Sequence, residues 1–585
     1  MQWTRRRALA AGAAGVAGVA ALGAGLWWRS GRPTNRHVAP LPRARAEGGK
    51  PLNILLVVTD QERFDLPAAL DLPGHARLAE RGVTFRQYHV NTTPCSPSRS
   101  IMYFGQHPQQ TKMVVNLGVF PEPQIPGDMP SLGHYLRAQG YYTAYKGKWH
   151  LSEIAAHYEL TYGRYPNSVD ALEPFGFSDF NVDGDPHGST WTGYKYDGQI
   201  ASDAVHWLNT RGKALANETP WLLAVNFVNP HDVMYYSSGP SQVASRRHRD
   251  YLAPIAPAPV SSPYDRDWGF DLPASHARDD LSTKPWAHRN YADFCNMAFG
   301  RVPDTPDAWR AYQNYYFNCI RDADRHLVTL LDGLDRSGLA DRTVVVFTAD
   351  HGEMAGAHGL RQKGPFMYQE NVRVPLVVRH PDVGSGFATD ALGSAVDLVP
   401  TLLELSGADA KRVAELYPQL RGVSLGGAVS ARDGRTERDR RGVLFNYDTT
   451  HYVDSDFAAR LVDSGTTANR HMPIAALFAI GQPMPSRHNP ALFRGIHDGR
   501  YKFARYFKPA EHHVPKDWDT LVGYNQLELY DTQADPDEIV NVAANPEAAK
   551  PTLLAMNERL NALVATEVGT DLGDEQVGPA FLKRL

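Results

Sequence analysis

The chain has 585 residues, 43% of them hydrophobic and 21% charged, with a formal net charge of −4. That balance excludes disordered, fibrous and collagen-like classes, and the length calls for one large domain plus a smaller one. Three cysteines, Cys95, Cys295 and Cys319, are too few for a disulfide scaffold.

The N-terminus reads as a separate object. Thr4-Arg5-Arg6-Arg7-Ala8-Leu9 precedes an Ala/Gly/Val/Leu-rich run ending near Trp28, the pattern of a twin-arginine (Tat) export signal. The run reaches about the length of a bilayer crossing, so an uncleaved anchor is the alternative, ranked second because Ala and Gly are poorly hydrophobic. Ala44-Arg45-Ala46 offers a small-x-small cleavage match well beyond the apolar run. The expected location is periplasmic or secreted. Residues 1–46 hold eight of the 60 basic residues and none of the 64 acidic ones, which leaves the remainder at a net of −12. Such a surface does not suit nucleic acid, and no window beyond the signal is apolar enough for a stable membrane span.

After a Pro/Gly/Arg-rich linker, residues 52–59 contain NILLVVT, a continuous apolar run that reads as a strand buried on both faces. Helical patterns follow over 73–81, stopping at Gly82, and over 131–139, with Ser131 as N-cap and Gly140 as stop. Further buried strands are expected at 142–145, 222–228, 343–348 and 376–378, with a long amphipathic helix over 309–334. Residues 232–305 read as a long irregular region of the kind that serves function. Past residue 430 the pattern changes to short alternating stretches at 499–504 and 527–530, then a helix over 547–564. The expected fold is α/β: a large, mostly parallel (mixed) sheet sandwiched by helices over 50–430. A smaller C-terminal subdomain over 431–585 is built on a short antiparallel sheet and a helix.

In an open α/β sheet, ligands bind beyond the carboxyl ends of the strands. Four of the expected strands end in chemistry: Asp60-Gln61, Lys146-Gly147-Lys148-Trp149-His150, Asn229-Pro230-His231-Asp232 and Asp350-His351-Gly352. One polar strand end means little, whereas four on one edge favour a site. Asp60, Gln61, Asp350 and His351 form an oxygen-rich donor set with one imidazole, which suits Ca²⁺ first, with Mn²⁺ and Mg²⁺ as alternatives. Thr93-Pro94-Cys95-Ser96-Pro97-Ser98-Arg99 is the second constellation, with Arg99 one helical turn past a lone cysteine.

Cys-x-Pro-Ser-Arg resembles the signature of the sulfatases, the formylglycine-dependent branch of the alkaline phosphatase superfamily. The remaining residues fall in the family's order: Asp60-Gln61, Lys148 and His150 in Gly-Lys-Trp-His, His231, Asp350-His351-Gly352, Lys363 in Gln-Lys-Gly-Pro, then Arg373-Val374-Pro375-Leu376. The resemblance spans roughly residues 52–545. It implies a hydrolase (a sulfuric ester hydrolase) that cleaves a small sulfated substrate. Cys95 would be oxidised to formylglycine, whose hydrate is the nucleophile and a metal ligand beside Asp60, Gln61, Asp350 and His351. Arg99 would hold the diol, Lys148 and Lys363 the sulfate oxygens. His150 would deprotonate the second hydroxyl, and His231, with Lys363, would protonate the departing alcohol. A formylglycine-generating enzyme and the Tat translocase are the implied maturation partners. Many sulfatases carry Asp-Asp and Asp-Asn where this chain has Asp60-Gln61 and Asp350-His351. These variants are similar to choline sulfatases and to phosphonate monoester hydrolases of the superfamily, which makes phosphonate monoester or phosphodiester hydrolysis the alternative.

Two other readings carry less. Gly422-Val423-Ser424-Leu425-Gly426 matches a nucleophile elbow but follows no buried strand. A non-catalytic carbohydrate-binding relative would lack the nucleophile or a ligand, and both are present. The aromatic residues Trp191, Tyr194, Tyr235, Tyr236 and Trp268 suit either a substrate wall or packing.

Overall fold

The computed structural model describes residues 36–45, 51–117, 123–154, 171–181, 184–246 and 254–573, except 385, 433, 458, 460–485 and 512–513. Of the expected export signal and linker over 1–46, residues 1–35 and 46 lie outside the described residues. Strands β1 (Asn53–Asp60), β2 (Val83–His89), β3 (Tyr142–Gly147), β4 (Trp221–Pro230), β5 (Thr343–Ala349), β6 (Leu376–Arg379) and β7 (Phe387–Ser394) form one sheet in the order β3-β4-β1-β5-β6-β2-β7. β3, β4, β1 and β5 run parallel, and β6 alone opposes its neighbours. The expected mixed α/β sheet is present.

The continuous apolar runs have a physical cause. Along β1, Ile54, Leu56 and Val58 enter one core, while Leu55 and Val57 enter another on the opposite face. A strand covered on both sides has no wet face, so it shows no alternation of polarity. The helices that cover it are α1 (Pro73–Arg81), α2 (Cys95–Phe104), α3 (Leu132–Ala138), α4 (Thr192–Trp207) and, after α5 (Trp286–Phe299), which packs elsewhere, α6 (Pro306–Ser337). Ile101 and Leu136 of α2 and α3 serve the first core, Ile200 and Leu331 of α4 and α6 the second. Ser131 caps α3, its hydroxyl accepting from Gly133 N at 3.1 Å. Among the described residues no helix is long and apolar enough to cross a membrane.

β2, β7 and one helix were not read from the sequence, and the choice left open for two aromatic residues is decided. β2 and β7 carry exposed or half-exposed positions such as Arg86 and Asp390, so they lack the apolar density of the central strands. The region 232–305, read as irregular, holds the 14-residue α5. Its buried face is His288, Tyr291, Cys295 and Ala298, helically spaced but not aliphatic. Tyr236 and Trp268 pack against α6 rather than lining a pocket: Tyr236 stacks on Tyr315 at 4.8 Å, and Trp268 Nε1 donates to Asn318 at 2.9 Å.

The second sheet is antiparallel, in the order β11-β10-β9-β8: β8 (Val443–Tyr447), β9 (Leu492–His497), β10 (Tyr501–Phe507) and β11 (Asn525–Asp531). Ahead of it lies the short α7 (Glu437–Arg441), and behind it the long α8 (Pro546–Glu567), whose Leu553 and Leu560 pack under β9–β11. Asn91, just past β2, bonds both ways with β8: its side chain donates to Leu444 O at 2.8 Å, and its carbonyl accepts from Asn446 N at 2.8 Å. Ser424 precedes a short helix and donates to Glu404, with no buried strand before it. Cys295 and Cys319 are both free and buried, and burial pushes their thiols up, that of Cys295 to about 11.

Candidate active site at the carboxyl edge of the large sheet

β3, β4, β1 and β5 are consecutive neighbours, so their carboxyl ends sit side by side. This adjacency brings Lys148 and His150, His231, Asp60 and Gln61, and Asp350 and His351 to one place. Cys95 is the first residue of α2, whose amide end faces the same edge and favours anionic groups. Ligand atoms of Asp60, Cys95, Asp350 and His351 all lie within 4.8 Å of one another, and all four residues are buried. His351 Nε2 stands 3.1 Å from Cys95 Sγ and 3.7 Å from a carboxylate oxygen of both Asp60 and Asp350.

This donor set fits a divalent cation. His351 Nδ1–H donates to Gly352 O at 3.0 Å, so Nε2 is the nitrogen that faces the cluster; against burial, Asp350 and Cys95 raise the imidazole's pKa, and a cation bound there would displace the Nε2 proton and take its lone pair. Two buried carboxylates facing one point are costly without a cation. Burial and the Asp60 charge push Asp350 up. Burial opposes ionisation of Asp60 too, but the neighbouring cations, Lys148 first, hold it well below the usual carboxylate range. Gln61, at φ 77°, turns its amide inward: Oε1 accepts from Lys363 and Nε2 donates to Glu353. A non-glycine residue in that region is strained, a feature that collects at functional sites. An amide oxygen has two lone pairs, so Gln61 retains one for a ligand.

The cations surround this cluster. Lys148 Nζ pairs with Asp60, and Arg99 Nη1 lies 3.4 Å from Asp350 Oδ2. The remaining donors of Arg99 go to Trp149 O (3.0 Å), Lys148 O (2.6 Å), Tyr145 Oη (2.9 Å) and Asn226 Oδ1 (2.8 Å). The guanidinium therefore fastens the turn after β3 to the start of α2 and to the end of β5. Burial and Asp60 raise the Cys95 thiol, but Lys148, Lys363 and His351 outweigh them and bring it below the ordinary thiol value. Burial, then Lys148, keeps His150 neutral; burial, then Lys363, does the same for His231.

Every residue read from the sequence as part of the site falls at this edge. Others were not read. Glu353 accepts from Gln61, from Tyr312 Oη (3.3 Å), and from Ala355 and Gln362 backbone amides at 3.0 and 2.6 Å. Asn226 takes Arg99 and also Tyr103 Oη at 2.7 Å. Asn116 accepts from Ser96 N at 2.9 Å. Asn226 had a readable signal, a lone amide inside the apolar run LLAVNFV, because a buried amide needs partners.

A family model described as Sulfatase matches residues 52–408. A choline-sulfatase of Rhizobium meliloti (strain 1021) is 28% identical over 401 residues, covering 64% of this chain and 71% of that protein. An N-acetylglucosamine-6-O-sulfatase of Bacteroides thetaiotaomicron is 22% identical over 566 residues, covering 88% of this chain and 86% of that one. Among solved structures, a 2-O GAG sulfatase superposes with a TM-score of 0.62 at 18% identity, covering 88% of this chain and 93% of that one; at that identity the likeness speaks for the fold.

Proposed function

We infer that this chain, which belongs to the sulfatase family and hydrolyses sulfate esters, does so with a nucleophile made from Cys95 and one divalent cation held by Asp60, Gln61, Asp350 and His351. The observation that carries this reading is the convergence of Asp60, Cys95, Asp350 and His351 within 4.8 Å at the buried strand ends.

A sulfate ester needs a strong nucleophile, neutralised oxygens and a protonated leaving group. Oxidised to formylglycine by the maturation enzyme and hydrated, residue 95 would supply a geminal diol, with one hydroxyl as the nucleophile toward sulfur. A bound cation, Ca²⁺ first with Mn²⁺ and Mg²⁺ as alternatives, supplies the Lewis acidity that lowers the pKa of that hydroxyl. Lys148 and Lys363, already turned into the site against Asp60 and Gln61, bind the sulfate oxygens. Arg99 orients residue 95 through Asp350 and the turn after β3. His150, held neutral, would accept the proton of the second hydroxyl as the bond between the residue's carbon and the sulfate oxygen breaks, so that sulfate leaves and the aldehyde returns. His231 delivers a proton to the departing alcohol, with Lys363 beside it as the proton's source. Residues 1–46 support export by the Tat route to the periplasm or beyond, with the formylglycine-generating enzyme and the translocase as maturation partners.

Gln61 and His351 favour phosphonate monoester hydrolysis as the second reading. The two are separated by kcat/KM on 4-nitrophenyl sulfate and 4-nitrophenyl phenylphosphonate with enzyme matured in a host that makes formylglycine. The sulfate is expected to win by at least about tenfold; a preference of that size for the phosphonate would replace the first reading with the second. Cation binding has its own signature. Ca²⁺ at about 100 times its Kd should stabilise the metal-stripped chain by about 2.7 kcal/mol, read as a rise in Tm. Asp350→Ala should erase that rise, and an undiminished rise in the variant would place the cation elsewhere.

A further inference from the structure

An imidazole works only if its nitrogens are aimed, and the second side-chain torsion of histidine is a soft one that hydrogen bonds or packing must fix. In His150 and His231 the Nδ1 gives no such anchor: among the described residues it is buried with no partner in either ring. What touches both rings is a single turn, Asp185-Pro186-His187-Gly188.

The Asp185 carboxylate accepts from two successive backbone amides, Trp149 N at 3.0 Å and His150 N at 2.7 Å. It thereby holds His150 in the left-handed region, φ 57°, an uncommon place for a non-glycine residue. The Asp185 carbonyl accepts from His187 N at 2.7 Å and from His187 Nδ1 at 3.0 Å, which fixes both the turn and the ring of His187. That exposed ring lies parallel on His150, centroids 4.9 Å apart and planes 18° apart. One residue on, Gly188 presses on His231. A Cβ there would stand 2.4 Å from Cε1 and 2.6 Å from Nδ1, and the φ of +126° suits only glycine. The chain then enters α4, whose Gly193 and Tyr194 amides both donate to Asp232 at 2.9 Å, the residue after His231.

We propose that the Asp185–Gly188 turn is a positioning clamp for the two active-site imidazoles. His187 sets the ring plane of His150 by stacking, and Gly188 is the stop against which His231 rests. His187 is a positioning residue, not a catalytic one. The clamp ties the two proton-handling groups to one segment, which sets the position of each relative to the other. This inference rests on the reading of His150 and His231 as those groups.

The test uses the full chain matured in a formylglycine-competent host, with 4-nitrophenyl sulfate as probe. His187→Ala is expected to lower kcat about tenfold, the scale of a small misplacement of a reacting group, with KM changed less than about twofold and Tm unchanged. His187→Phe, which keeps a flat ring, should recover kcat to within about threefold of the native enzyme. Gly188→Ala should cost about 10²-fold through His231. A native kcat in His187→Ala overturns the clamp. So does a His187→Phe variant as slow as His187→Ala with a raised KM, because that pattern assigns His187 a substrate contact through nitrogen. His150→Ala and His231→Ala serve as references: if both retain native kcat, it is the reading of the site that falls, and the clamp with it.

Discussion

Arg438→Ala is expected to destabilise the folded chain by about 3–5 kcal/mol without touching the site chemistry. Arg438, on α7, is fully buried and holds the two parts of the molecule together. Its Nε and Nη2 donate to the two oxygens of Asp397 at 3.0 and 2.5 Å, in the forked geometry that suits a carboxylate. Nη1 donates to Glu567, the last residue of α8, and to Gly442 O at 3.1 Å. Glu567 also takes His107 Nε2 at 3.0 Å, from the segment just past α2. Removing the guanidinium leaves the buried Asp397 and Glu567 carboxylates without their shared cation, with the His107 imidazole on Glu567 alone, and that uncompensated charge dominates the loss. Urea unfolding should show a lower midpoint with an unchanged slope, and kcat at low temperature should stay within about threefold. A midpoint equal to that of the native chain would mean that the network adds nothing to stability.

Cys95→Ala carries the largest expected kinetic effect, a fall in kcat of at least about 10⁴-fold, as when other enzymes lose their nucleophile. The surroundings explain why no neighbour compensates. Ser96 Oγ is committed to His150 O at 2.7 Å and accepts from Leu117 N at 3.1 Å. Ser98 Oγ donates to Asp350 O. Neither hydroxyl is free to turn toward the cluster. The variant should fold normally, because alanine fits the first turn of α2 and removes a sulfur that lies among charges rather than in an apolar core. A loss below about tenfold on 4-nitrophenyl sulfate would remove residue 95 from the mechanism.

How much of this was readable in the chain depended on where each residue's partners lie. β1, β3, β4 and β5 announced themselves because strands buried on both faces must be apolar throughout. Their polar ends then stood out, and parallel topology put those ends on one edge. β2 and β7, half-exposed, gave no such contrast, and α5 concealed its period behind His288, Tyr291 and Cys295. The first layer of the site was legible for the same reason as the strands, together with the order of motifs. The residues that aim it were not. Glu353, Asn116, Asp185 and His187 come from loops, and their links to the site cross up to 292 residues of chain, as in Gln61 to Glu353. No local pattern encodes such pairings. Arg99 was readable as part of the site, but its bonds to Asn226, Tyr145 and the Lys148–Trp149 carbonyls required the fold.

The central claim is that Cys95 becomes the nucleophile, and the most direct test is the chemical state of that residue. Protein matured in a formylglycine-competent host would be alkylated, cut with trypsin, and the peptide spanning residues 87–99 weighed. An aldehyde or its hydrate is expected at position 95, which resists alkylation and reacts with a hydrazide. An intact, alkylated thiol there, in a host that matures a control sulfatase, would contradict it.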